Sequence, residues 1–172
     1  SIIEELLKIK TIDTNIQDYE NQITPLMYSI ILDDNRLFNL LVNTSDIEIQ
    51  DINGNNSIHY AINENNSFII NTLLKKYETL YSTNLIGKTP FHLLLDNLKY
   101  NNIDLNQTDI ASFISKSNLN IQDYNGNSCF LIMVKSNLWK KFIKELENKK
   151  LNAFLKNHNN KTVFDIINSD DK

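Results

Sequence analysis

Five stretches of this chain lie over one another on a single period: DYENQITPLMYSI (18–30), DINGNNSIHYAI (51–62), NLIGKTPFHLLL (84–95), DYNGNSCFLIMV (123–134) and NHNNKTVFDIIN (157–168). Their equivalent positions Thr24, Asn56, Thr89, Ser128 and Thr162 are 32, 33, 39 and 34 residues apart. A period near 33 constrains the fold more tightly than any local propensity, because a unit that short cannot bury its apolar face alone and must stack on its neighbours. The sequence holds only three glycines and two prolines, and all five fall inside this frame. Gly54, Gly87 and Gly126 share one position; Pro25 and Pro90 share another.

The chemistry of those positions predicts a tight turn followed by a helix start. An Asp or Asn at the head of each unit can accept from the backbone two residues on and open a turn. The glycine three residues later can take positive φ, and Asn160 stands there in the fifth copy. Thr24 and Thr89 are good N-caps, and Pro25 and Pro90 fit the first helical position, where a missing N–H is no loss. Gly87-Lys88-Thr89 resembles the end of a phosphate-binding loop, but Ser82 stands where that loop needs its first glycine, so no nucleotide site is expected.

A short first helix is expected after each turn, over about Pro25 to Leu32 in the first copy and Pro90 to Asn97 in the third. A second amphipathic segment follows: RLFNLLV (36–42), SFIINTLLKKY (67–77), TDIASFISK (108–116) and LWKKFIKEL (138–146). Its apolar residues recur at helical spacing, as in Ile69, Ile70, Leu73 and Leu74. Trp139, Phe142, Ile143 and Leu146 are expected to form the packed face of the fourth. Extended links such as Ile49-Gln50-Asp51 and Ile121-Gln122-Asp123 then lead into the next turn.

The pattern resembles the ankyrin repeat, whose signature D-x-x-G-x-T-P-L-H-x-A is carried by N-L-I-G-K-T-P-F-H-L-L at 84–94. The second copy keeps Asp51, Gly54, Ile58, His59 and Ala61 in register. The resemblance implies an all-α solenoid of helix-turn-helix units joined by short β-hairpin-like turns, a single domain over residues 1–172. Repeats are expected at 18–50, 51–83, 84–122 and 123–156, with 1–17 as the second half of a preceding repeat and 157–172 as a partial terminal one. SIIEELLKI at the start reads as a second helix whose first helix is missing, so a longer parent chain is expected. Three departures stand out. The first copy has one extra residue between Asp18 and Thr24, Cys129 and Val163 replace the proline, and the third copy carries about six extra residues at 97–107, expected to lengthen the loop between its two helices. The alanine position holds Ser29, Ala61, Leu94, Met133 and Ile167, and its larger members should splay the helix pairs or be offset by smaller neighbours.

Most reactive side chains have a structural reading. His59 and His92 share a repeat position, and the resemblance implies a hydrogen bond to the turn; His158 stands at a hairpin tip. Cys129 reads as a partly buried structural thiol, and one cysteine suits a reducing, intracellular setting. The pairs Asp33-Asp34 and Asp170-Asp171 have no apolar pocket to shift them. No convergent set points to catalysis, a cofactor or a metal. A net charge of -4 with Arg36 as the only arginine argues against nucleic acid, and no apolar run approaches a membrane span. The abundance of Asn, Ile and Lys reads first as an A+T-rich genome, as in ankyrin proteins of large DNA viruses and A+T-rich protozoa.

Ankyrin contacts, by resemblance, lie just after the turn-opening Asp or Asn and near the end of the first helix, on the concave side. Carried over, the tips are Tyr19 and Glu20; Ile52 and Asn53; Leu85, Ile86 and Lys88; Tyr124 and Asn125; and His158. The helix ends are Asn63 and Glu64; Asp96 and Asn97; and Lys135. Apolar and aromatic tips such as Ile52, Leu85, Ile86 and Tyr124 have little reason to sit in a solvated hairpin unless a partner covers them or they pack tip on tip. The expected partner is another protein or a neighbouring domain of the same chain. The alternatives are an intramolecular arm of a larger enzyme or channel, and an adaptor that brings a captured target to host degradation machinery.

Overall fold

The computed structural model describes residue 5, residues 12–99 and residues 105–170, with side chains to residue 168. Nine α-helices are found among them: α1 Pro25–Ile31, α2 Asn35–Leu41, α3 Ser57–Asn63, α4 Ser67–Lys76, α5 Pro90–Lys99, α6 Gln107–Lys116, α7 Cys129–Lys135, α8 Ile143–Glu147 and α9 Val163–Asp170. A 3-10 turn, Leu138–Lys141, leads into α8. The described residues contain no strand; their one bridge is the isolated pair Gln122 and Ser128. Of the stretch SIIEELLKI only Glu5, which is helical, is described, so the expectation built on it otherwise lies outside the described residues.

Each turn forms as its residues dictate. In the second copy the Asp51 carboxylate accepts from the N–H groups of Asn53 at 2.9 Å and Asn55 at 2.6 Å, and Asp123 and Asn157 repeat the pattern. The hydroxyls of Thr24, Thr89 and Ser128 then accept from the first turn of their helices, satisfying N–H groups that no carbonyl could reach. The extra residue of the first copy is absorbed ahead of the turn's left-handed position. There Gln22 takes φ 57°, two residues before the cap, as Gly54, Gly87, Gly126 and Asn160 do in the other copies.

The first helices pack on one another along the stack (α1 on α3, α3 on α5, α5 on α7, α7 on α9), while α4, α6 and α8 form the second layer. One continuous core runs between the layers from Leu26 to Leu146, through Ile58, Ile70, Phe91, Phe113 and Met133. Burying each such side chain is worth about 1.5–3 kcal/mol against leaving it in water. At the alanine position Ser29, Ala61, Leu94 and Met133 are all fully buried.

One expectation is corrected and one is extended. The segment 138–146 is not one helix. Asn137 turns left-handed at φ 57°, the chain passes through the 3-10 turn, and Phe142 breaks it at φ -125° before α8 begins. That break rotates Ile143 out to 49% exposure, while Phe142 and Leu146 stay buried. The extra residues of the third copy also do more than lengthen a loop, since α5 runs on to Lys99 and has 10 residues where α1, α3 and α7 have 7.

Candidate partner-binding face

The hairpin tips are joined backbone to backbone. Ile52 N–H donates to Asn21 O, Leu85 N–H to Asn53 O, Tyr124 N–H to Ile86 O and His158 N–H to Asn125 O, at 2.8–3.1 Å. This pairing fixes the tips in a row but leaves their side chains outward. Tyr19, Ile52, Leu85, Ile86 and Tyr124 are all about half exposed or more, Tyr19 completely. Tip-on-tip packing accounts for the backbone and for one edge of the Tyr124 ring, which lies against Gly87, and leaves at least about half of each apolar side chain uncovered. Glu20, Asn53, Asn125 and His158 are exposed beside them.

Asn63, Glu64 and Lys135 are exposed at their helix ends, and Asp96 and Asn97 are half-buried. Between α5 and α7 the face opens a cleft of about 340 Å³. Leu95, Leu131 and Ile132 line it, and Lys88, Asp96, Asn125 and Lys135 stand around them. Four expected contact residues from two repeats thus border one hollow. Lys88 Nζ lies 2.6 Å from the Asp96 carboxylate, tying tip to helix end. A second cleft of about 220 Å³, between α7 and α9, shares Leu131 and Lys135 with the first.

Other expected contact residues have structural work as well. The Asn97 amide donates to Ile62 O at 2.8 Å and Asn65 Oδ1 at 3.3 Å, across to the preceding repeat. The Lys88 carbonyl receives the imidazole of His59.

The histidines bond their own cap and the next repeat together. Nδ1 of His92 accepts from the N–H of Thr89, and Nε2–H donates to Asn127 O at 3.1 Å. His59 does the same between Asn56 and Lys88. Burial pulls His59 down to about 4 and His92 below its ordinary value, so both are neutral near pH 7. Cys129 is fully buried with Sγ 3.2 Å from His92 Nδ1, and burial pushes its thiol well up, away from the thiolate a nucleophile needs. Asp34 caps α2 through the N–H of Leu37, and Asp33 accepts from the Asn66 amide. Among the described residues no group of three His, Cys, Asp or Glu could hold a metal ion.

Sequence reasoning missed the amide ladder. Gln50 Nε2 donates to Gly54 O in its own turn and to Thr83 O in the next repeat; Gln17 and Gln122 do likewise. The amides of Asn84 and Asn157 reach Asn55 and Asn127 one repeat back. The signal was present, since glutamine precedes the turn-opening Asp in three of five copies, but composition alone explained amide richness as genome bias.

A protein assembled this way, from stacked helix pairs with hairpin tips paired in a row, is a repeat solenoid. A family model described as ankyrin repeats (3 copies) matches residues 1–86, half of the chain, and the protein belongs to the ankyrin-repeat family. It is 32% identical to an ankyrin repeat protein of Acanthamoeba polyphaga mimivirus over 96% of this chain and 24% of that protein. The chain thus spans about a quarter of that relative's length. The ankyrin repeat domain of Bcl-3, a member of the IkappaB protein family, superposes with a TM-score of 0.70 at 15% identity, over 96% of this chain and 71% of that one. Ankyrin repeats are in general protein–protein interaction modules. No helix among the described residues is long and apolar enough to cross a membrane.

Proposed function

We propose that this chain binds another protein along the face built from its hairpin tips and first helices. The observation that carries the reading is the cleft of about 340 Å³ between α5 and α7, where an apolar floor meets Lys88, Asp96, Asn125 and Lys135. Exposed apolar tips continue that surface along the stack. Apolar anchors would supply affinity, and the polar rim would set register and specificity. The repeat frame divides the domain at 18–50, 51–83, 84–122 and 123–156, so a partner lying along the face would touch several units at once.

A second reading makes the same face an arm that docks on a neighbouring domain of its own chain. It draws on the likeness to one stretch of a much longer viral protein. An adaptor role toward degradation machinery would use the same surface to hold its target.

The test is affinity capture from source-organism extract with mass spectrometry, using this chain and a variant carrying Ile52→Glu, Leu85→Glu and Tyr124→Glu that melts alike. A protein retained by the first and lost by the second is the expected result. Identical captures on both baits, or none on either, would remove the tips from consideration.

A further inference from the structure

We infer that the C-terminal half of this face takes a short partner segment in which an Asp or Glu lies beside a large apolar residue. The inference rests on the reading of the face as a partner site and specifies what that site accepts.

The chain is electrically lopsided. Twelve of its 21 Asp and Glu precede residue 87, and twelve of its 17 Lys and Arg follow residue 86. On the binding face Glu20 and Glu64 stand at the early repeats, and Lys88, Lys99, Lys135 and Lys161 at the later ones. Their surroundings differ in a way that decides the local field. Lys88 is paired with Asp96. Lys135 is exposed, makes no hydrogen bond or ion pair among the described residues, and borders both clefts. Of the nearby carboxylates, Asp123 is buried and accepts from the N–H groups of Asn125 and Asn127, while Asp165 is exposed in the smaller cleft, where it accepts from the N–H and hydroxyl of Thr162 and faces Lys161.

What faces an incoming chain is therefore an apolar floor of Leu95, Leu131 and Ile132 edged by three ammonium groups against two carboxylates, with the exposed Lys135 among the three. A wholly apolar segment would cover Lys135 without a partner, and a basic one would be repelled. A segment with an adjacent carboxylate seats its apolar side chain in the larger cleft and bonds Lys135 with charge assistance, with Lys161 adding attraction across the smaller cleft.

The probe is a random dodecapeptide phage library panned on the 172-residue protein, followed by fluorescence titration of the enriched peptides at low and high salt. Three variants run beside it: Lys135→Gln, Lys135→Glu with Lys161→Glu, and the triple tip variant, each checked by thermal melting. Enriched clones should carry Asp or Glu within two residues of Leu, Ile or Phe. Their affinity should fall about threefold in Lys135→Gln and about tenfold or more in the charge-reversed protein, with the loss shrinking in high salt. Clones without acidic bias, or no enrichment at all, would overturn the inference. So would peptides that lose affinity on the triple tip variant but not on the charge-reversed one, though the face itself would stand. Peptides indifferent to every variant would sink the face reading too.

Discussion

The Nε2–H of His92 donates to the carbonyl of Asn127, 3.1 Å away and 35 residues along the chain, and His59 makes the same bond to Lys88. Each ring holds the cap of its own helix on one nitrogen and the hairpin of the next repeat on the other. Both nitrogens are engaged, so an added proton at Nδ1 would face the backbone N–H it now accepts from and would have to turn to the side-chain oxygen beside it, Asn56 Oδ1 in His59 and Thr89 Oγ1 in His92.

Stability should therefore fall in mild acid. Both histidines sit below their unfolded value near 6.5, so the unfolded chain binds more protons as pH drops. Their contribution is complete above about pH 6.5 and is lost as pH falls toward about 4, where His59 titrates when folded. The loss is on the order of 2–3 kcal/mol. Glu48, raised by burial, acts in the opposite direction within the lower part of that window. Urea unfolding at pH 7 and pH 4.5 measures the balance. Equal midpoints in a Glu48→Gln background, where that offset is gone, would mean that the rings are not held neutral.

Gly87→Val should destabilise by more than about 1 kcal/mol, because a β-branched residue is forced to positive φ. Space compounds the strain. A Cβ at Gly87 would lie 2.9 Å from the backbone nitrogen of Tyr124, which the tip pairing holds in place. An unchanged melting temperature would contradict the turn geometry.

Thr83→Gln should stabilise the stack by about 0.5–1.5 kcal/mol. Thr83 occupies the position of Gln17, Gln50 and Gln122 in the one interior repeat that lacks the amide, and it is exposed. A glutamine there can reach the carbonyls of Gly87 and Gln122 as its counterparts reach theirs. Gln50→Ala should cost a similar amount per bond lost. Chemical denaturation of the two variants measures both, and a destabilising Thr83→Gln would show that the third junction has another geometry.

Cys129 should resist thiol reagents until the repeat opens. Fully buried and held protonated, it offers no thiolate. Labelling by a disulfide reagent should follow the unfolding rate across denaturant concentrations. A fast phase in native buffer would place the thiol in a locally open segment.

Much of this fold was legible because its geometry is written in residue types with few substitutes. A glycine at positive φ, a proline after a capping threonine, and an Asp or Asn that bonds two residues on each announce one local conformation. The break before α8 was not legible, since the apolar spacing of Trp139, Phe142 and Leu146 suits a continuous helix. Only the left-handed turn at Asn137 reveals otherwise. The site was half legible. The pattern located its residues, and the clefts that group Lys88, Asp96, Asn125 and Lys135 depend on how α5 and α7 approach. Asn97 shows the limit: an amide near a helix end looks like a contact residue whether it awaits a partner or, as here, already bonds the preceding repeat.

The amide rungs carry an implication for how such a chain can change length. Gln50 bonds a carbonyl 33 residues ahead, and Gln122 one 34 ahead. Excising one whole unit would bring each amide against a carbonyl of the same kind, and the seam would close. Removing a dozen residues would leave donors on one side facing nothing on the other. Growth and shrinkage by entire modules is the path that leaves every junction chemically familiar.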